Sequence, residues 1–368
     1  MKKIKILYVI TSLGLGGAEK LLLDYVKRLN QEKYSFYICC FRDKPDDLIG
    51  EISKYAEVFN FKIRNKFNPI VIPHLIKLIN QIQPDIIHTH LFQPRFYTTV
   101  AHLFSKKSVL FTHKHNNVNI KEHNVFIFFE MLSIIFNQKV IAISQSVKQS
   151  LIKYEFIPEK KIIVIHNGID NQKFNDTINK TKILNEKKII IGTVCRLERQ
   201  KGLKYLLLAM KIILTKFPDA KLEIIGDGTL LNELQELSKK LGISNSVIFF
   251  GKFTDVKPFY NRMDVFVLPS LYEGFGIVLL EAMASGVPVI ASNVDGIKEV
   301  IQDDINGILV QPRNPEAIAI ALTRLIENHQ LYNQLVEEGL KRARVFDIHE
   351  HLMKLDNLYS SLLGAESY

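Results

Sequence analysis

Short apolar runs rich in Ile and Val recur along the chain, separated by segments long enough to be helices. In the first half they occupy residues 6–10, 37–41, 86–90, 109–113, 140–143 and 162–165; in the second, 189–194, 221–225, 247–250, 265–268, 287–291 and 308–310. Strand-length runs alternating with helix-length segments predict parallel sheets covered by helices on both faces, an α/β doubly wound architecture. The opening shows the pattern at residue level. Ala18, Leu21, Leu22, Tyr25, Val26 and Leu29 recur with helical spacing while Lys20, Asp24, Lys27 and Arg28 take the other face, so residues 4–29 read as strand, glycine turn, helix. Lys2, Lys3 and Lys5 ahead of an apolar run look like a secretion signal, but the run is too short and passes straight into the turn.

The alternation breaks once, at the polar stretch DTINKTKILNEKK (residues 176–188), which predicts a linker. Two domains follow, 1–175 and 186–349, and 368 residues with 47% hydrophobic content suffice for a core in each. Asn314, Pro315 and Glu316 supply N-cap, N1 and N2 of a helix. A tail helix over about residues 350–368 carries Leu352, Leu355, Tyr359 and Leu362 on one face.

Chemistry concentrates in SLYEGFGIVLLEAMASGVPVIAS (residues 270–292). A strand ends at Pro269, Glu273 to Gly276 form a turn, and residues 277–284 read as a helix whose first amides lack intrahelical partners. Amides at Phe275, Gly276, Ile277 and Val278, with the positive end of the helix dipole, suit a diphosphate. Glu273 and Glu281 lie eight residues apart, about two turns or roughly 12 Å along a helix, so they would bind opposite ends of one ligand: Glu273 a sugar near the phosphates, Glu281 ribose hydroxyls. The blander alternative makes Glu273 a turn cap and Glu281 a solvated helix residue. A second cluster supplies positive charge. Arg196 and Lys201 in CRLERQKG (residues 195–202) sit at a strand-to-helix turn, where two cations could neutralise a leaving diphosphate without a metal; alone, the segment is equally a solvated charged loop.

Other motifs speak more softly. The first turn, Gly14, Leu15, Gly16, Gly17, is not G-x-G-x-x-G and no acidic residue follows at the next strand end, which argues against a dinucleotide site. His88 and His90 end one strand, His113 and His115 another; four imidazoles could converge on zinc, but no Cys, Asp or Glu accompanies them at metal spacing, and the expectation is no metal. Cys39, Cys40 and Cys195 suit a reducing compartment and predict no disulfide framework.

Taken together, CRLERQKG, the GDG at residues 226–228 and EGFGIVLLEAMASGVPVIAS resemble the retaining glycosyltransferases of family 4, which have the GT-B fold. The likeness extends to GLGGAEK (14–20), IIHTH (86–90), AISQSVKQSL (142–151) and HNGID (166–170). It implies two Rossmann-like domains facing a central cleft, with the tail helix returning to the first. It further implies sugar transfer from a nucleotide-sugar donor with retention, no cofactor and no metal. By the same resemblance Arg196, Lys201, Glu273 and His90 are the catalytic-centre residues, with His113 a secondary cleft candidate; Gly16 and Gly17 present amides near donor phosphate or acceptor, and His88 is packed. The loop Asn293 to Glu299 departs from the pattern, with one glycine, Gly296, where relatives often show a pair and a proline. An epimerase of the same architecture lacks acid/base groups that can be placed here, a phosphorylase lacks an identifiable pyridoxal phosphate lysine, and a non-catalytic nucleotide-sugar sensor stays open.

Charge is lopsided: residues 1–175 carry a net +11 and residues 176–368 a net −1, within the overall +10. A basic acceptor-side half favours phosphate-bearing partners, either anionic lipid or a polyprenyl-diphosphate-linked glycan acceptor; nucleic acid is disfavoured because no recognition motif accompanies the charge. The apolar run VFIFFEMLSIIF (125–136) is too short to span a bilayer and is either core, the commoner fate of such a stretch, or a surface-lying segment. The expected location is the cytoplasm, peripheral to the membrane.

Overall fold

The computed structural model describes residues 2–42, 48–63, 68–105, 108–115, 137–175 and 189–364. Two compact units divide the chain: Met1–Asn167 with His349–Tyr368, and Gly168–Ile348.

The first unit is built on seven parallel strands in the order β3-β2-β1-β4-β5-β6-β7. They are β1 (Ile4–Ser12), β2 (Tyr34–Arg42), β3 (Glu57–Asn60), β4 (Ile86–His90), β5 (Val109–Lys114), β6 (Lys139–Ala142) and β7 (Ile162–Val164). The sequence does not single out β3, because Glu57 and Asn60 dilute its apolar content and this four-residue edge strand pairs on one side only. Side chains alternate across the sheet. Leu7, Val9, Ile87 and Leu110 pack on Leu75, Leu78 and Ile79 of the helix Val71–Ile82. The alternate residues are polar or aromatic: Tyr8 lies opposite His88, His88 opposite Phe111, and His90 opposite His113. Against this second set pack Tyr25, from the helix Gly17–Arg28, and the tail helix Ile348–Gly364, with Leu352, Leu355, Tyr359 and Leu362 buried. Tyr8 and Tyr359 hydroxyls meet at 3.0 Å, and Asp356 accepts from Lys33 Nζ at 2.8 Å and Tyr34 Oη at 2.6 Å.

The second unit repeats the plan with six parallel strands, β10-β9-β8-β11-β12-β13. These are β8 (Ile190–Val194), β9 (Lys221–Ile225), β10 (Val247–Gly251), β11 (Val265–Leu268), β12 (Val289–Ser292) and β13 (Ile308–Val310). β12 starts two residues later than the apolar run, since Pro288 has no N–H for the ladder and contributes only its carbonyl, to Phe266 N at 3.0 Å. Ile191, Ile224, Val265, Val267 and Ile290 form a core with Leu206, Met210, Leu322 and Leu325 from the helices Leu203–Lys216 and Pro315–Glu327. The latter helix is capped as its sequence demands, Asn314 Oδ1 accepting from Ala317 N at 2.9 Å. Within this unit Ile169 N donates to Phe346 O and Ile348 N to Ile169 O, each at 2.9 Å. That pairing ties residues 168–175 to the second unit, so the division falls at Asn167 and Gly168. The polar stretch 176–188 and the apolar run 125–136 lie outside the described residues.

Each sheet has one switch point, where connections leave in opposite directions: between β1 and β4, and between β8 and β11. Open α/β sheets bind ligands outside the carboxyl ends of the strands flanking such a point.

Candidate functional site

β8 and β11 deliver the two charged clusters to one switch point. Beyond β8 the chain runs through Arg196 to Lys201; beyond β11 it turns through Pro269 to Gly276. Backbone stitches these loops together: Leu271 N donates to Gln200 O at 2.7 Å, and Gln200 Nε2 to Tyr272 O at 2.9 Å. Gly202, at φ +62°, brings its Cα so close to the Pro269 carbonyl that any Cβ would overlap it. The GDG segment braces the loop from the other side, Leu197 N donating to Asp227 O at 2.9 Å while Glu198 accepts from Thr229 Oγ1 at 2.9 Å.

Across the stitched loops the Lys201 ammonium forms an ion pair with the Glu273 carboxylate, whose side chains are only 12% and 10% exposed. Ser270 Oγ and Gly274 N also donate to Glu273, each at 3.3 Å. Lys201 and Glu273, assigned separate tasks by their motifs, are joined by the fold in one charge-neutral pair. Arg196 is exposed and has no hydrogen-bond or ion-pair partner among the described residues. Burial pushes the neighbouring Cys195 thiol up to about 11, leaving it protonated at neutral pH.

The helix Ile277–Ala284 starts at Gly276, φ +81°, and the amides of Ile277 and Val278 find no acceptor among the described residues. Because residues 273–276 are a turn, only about one helical turn, roughly 6 Å of rise, separates Ile277 from Glu281. The two full turns expected from a continuous helix are thus corrected to a turn plus one helical turn. Phe275 buries its ring edge-on against Phe346, centroids 5.3 Å apart, so only its backbone can serve a ligand. Glu281 is half-buried and accepts from Tyr260 Oη at 2.8 Å; its other oxygen has no partner among the described residues. Burial, reinforced by the Glu281 charge, holds the Tyr260 phenol well above its usual range, so it stays a donor.

Nothing in the sequence spacing marks Tyr260, and Gln200 is equally silent. Gly296 is visible only as the lone glycine of its loop. Its Cα rests on the Glu273–Gly274 backbone, in the short helix Asp295–Lys298. Gly296→Ala is expected to force that helix off the loop, lowering stability by about 1–3 kcal/mol. A denaturant midpoint measurement checks it.

In the first unit Gly16 precedes the helix Gly17–Arg28 without a side-chain cap; the Glu19 carboxylate fills the space a Cβ at Gly16 would need, while Gly17 is exposed with open space around its Cα. His90 and His113, at the ends of β4 and β5, are buried among aromatic rings and not on an open surface. His90 Nδ1 lies 3.0 Å from His115 Nε2, His88 Nδ1 lies 2.9 Å from Tyr359 Oη, and His113 Nδ1 lies 3.4 Å from Tyr25 Oη. Tyr25 Oη also meets His351 Nε2 at 2.7 Å, and His351 Nδ1 donates to His166 O at 2.6 Å. Burial holds all five imidazoles below their ordinary range, His115 down to about 3 and His351 to about 4. His351 joins from the tail, which no local spacing could foretell.

Solved structures define the class first. HepE of Anabaena, solved with UDP-glucose, matches with a TM-score of 0.86 over 97% of this chain and all of that one, at 23% identity, a likeness of fold. The architecture is that of the GT-B glycosyltransferases. Two family models then tile the sequence, Glycosyltransferase Family 4 over residues 15–173 and Glycosyl transferases group 1 over residues 174–342. The chain belongs to this family of glycosyltransferases. An uncharacterized glycosyltransferase of Methanocaldococcus jannaschii is 37% identical over 222 residues, 58% of this chain and 57% of that protein. The UDP-Gal:alpha-D-GlcNAc-diphosphoundecaprenol alpha-1,3-galactosyltransferase of Escherichia coli is 27% identical over 98% of both chains.

Proposed function

We propose that this chain moves a sugar from a nucleoside diphosphate sugar to a glycan or polyprenyl-diphosphate-linked acceptor, with retention of configuration and no metal at the diphosphate. The observation that carries the reading is the stitching of the Arg196–Lys201 loop to the turn before Ile277, which gathers cations, free helix amides and Glu281 at one switch point. Amides of Ile277 and Val278 hold the diphosphate, Arg196 meets its developing charge, and Glu281, steadied by Tyr260, holds the ribose. Lys201 acts as half of an ion pair that fixes the turn, and Glu273 orients the sugar from within it. The bond from the anomeric carbon to the phosphate oxygen breaks while the acceptor oxygen bonds the same face; the acceptor proton passes to the leaving phosphate, so no protein base is required.

The E. coli relative, named for a UDP-galactose donor and a diphosphoundecaprenol-linked acceptor, makes that pairing the first to test. A diphospho-undecaprenol-directed N-acetylgalactosaminyltransferase of Campylobacter jejuni, 25% identical over 92% of this chain, supports the same acceptor class. An enzyme using such an acceptor would act at the cytoplasmic membrane face, in assembly of a cell-surface glycan. Among the described residues no helix is long and apolar enough to cross a membrane. The test is a panel of UDP-, GDP- and ADP-sugars with a lipid-diphosphate-linked acceptor, with and without EDTA. Transfer undiminished by EDTA and giving the anomer of the donor is expected. Epimerised donor, an inverted linkage, or binding without transfer would overturn the proposal.

A further inference from the structure

Among the buried polar atoms that the described part of the first unit leaves without partners are three imidazole nitrogens: Nε2 of His88, His90 and His113. All three side chains are essentially inaccessible, and one ring nitrogen from each lies within 4.8 Å of the others. Buried polar atoms are almost always satisfied, so three orphans in one place call for a shared partner. We propose that these nitrogens, all from the first unit, bind a borderline-soft divalent ion of the zinc class.

Topology makes the cluster. His88 and His90, two residues apart on β4, share a face, and parallel register sets His113 of β5 opposite His90. The opposite nitrogen of each ring is occupied. One chain of bonds fixes a tautomer outright: His351 Nδ1 must donate to the His166 carbonyl, so its Nε2 accepts from the Tyr25 hydroxyl. Tyr25 oxygen then accepts from His113 Nδ1, across a long 3.4 Å contact, which leaves the His113 Nε2 lone pair free. His88 can hold the same tautomer by donating from Nδ1 to Tyr359, and His90 by donating to His115. A ring nitrogen held by an outer partner while its opposite nitrogen points inward is the usual setting of a metal-ligating histidine.

Ion class follows from the ligands. The cluster offers imidazole and no carboxylate, which suits Zn²⁺ and disfavours Mg²⁺ or Ca²⁺. Three protein ligands with a fourth position for water is an established zinc arrangement, so the lack of Cys, Asp or Glu, read from the sequence as an argument against metal, does not bar the site. At a metal–nitrogen distance of about 2.0–2.1 Å, tetrahedral ligands sit roughly 3.3 Å apart, so nitrogens as far as 4.8 Å apart must close by up to about 1.5 Å on binding.

Tag-free full-length protein, stripped with chelator, is titrated with Co²⁺ by visible absorption and with Zn²⁺ against a chromophoric chelator. One equivalent is expected, with the ligand-field bands of four-coordinate cobalt and no competition from Mg²⁺. His113→Gln and His88→Phe should each weaken binding at least about tenfold, while His329→Ala and His349→Ala leave it unchanged. If the cluster variants do not fold, Tyr359→Phe, which keeps every ring nitrogen but frees His88, should still weaken it about tenfold or more. Absence of stoichiometric binding, or binding indifferent to the cluster variants and to Tyr359→Phe, means that water alone satisfies these nitrogens and overturns the proposal. No sugar enters the assay, so its outcome is independent of the transfer reading.

Discussion

Arg196→Ala is expected to lower kcat by about 10²–10³-fold and to leave the unfolding midpoint where it is. Its side chain is exposed and unpartnered among the described residues, so its removal costs the fold nothing while withdrawing a charge from a departing phosphate. Lys201→Ala should behave differently. It strands the Glu273 carboxylate, 10% exposed, without its ammonium, and breaking a buried pair from one side costs about 3–5 kcal/mol. Stability and activity should therefore fall together. The double variant Lys201→Met, Glu273→Leu removes both charges and should recover much of the stability without restoring transfer. Denaturant midpoints and steady-state rates on the four proteins separate these outcomes. An Arg196→Ala enzyme with full kcat would remove the proposed charge-stabilising role, and a Lys201→Ala enzyme as stable as its parent would show that water screens the pair.

What the sequence disclosed and withheld follows from the range of the interactions. Strand and helix periodicity is local, so both parallel sheets, the glycine turn after β1 and the Asn314 cap were legible from composition and spacing. The loops bearing Arg196, Lys201, Glu273 and Glu281 were legible too, because each lies directly after an apolar run. Their partnership was not. Lys201 and Glu273 are 72 residues apart, Tyr260 and Glu281 are joined only through the packing of two helices, and no periodicity encodes either bond. The histidines show the same divide. Period-two spacing puts His88 and His90 on one face, but register across β4 and β5 brings in His113, and the tail helix brings in His351 from 263 positions beyond His88.

That cluster makes acid the first unit's weakness. His351 is held neutral by burial, its imidazole pushed from 6.5 down to about 4, and His88, His90, His113 and His115 are depressed in the same direction for the same leading reason. Below pH 6.5 the unfolded chain takes up protons that the folded chain refuses, so stability falls as pH falls. The contribution of His351 is fully present above about pH 6.5, declines between about 6.5 and 4, and levels off below the folded value. Over that window its shift alone amounts to about 3 kcal/mol, and the four other rings steepen the loss. Thermal melts of metal-stripped protein from pH 7 to pH 4 should show an early transition moving to lower temperature. His351→Gln, which cannot titrate, should flatten that acid slope by about one proton while accepting some loss of stability at pH 7, where its bonds to Tyr25 and His166 are altered. A melting temperature flat from pH 7 to pH 4 would mean that the rings gain protons in the folded state, through water reaching the cluster.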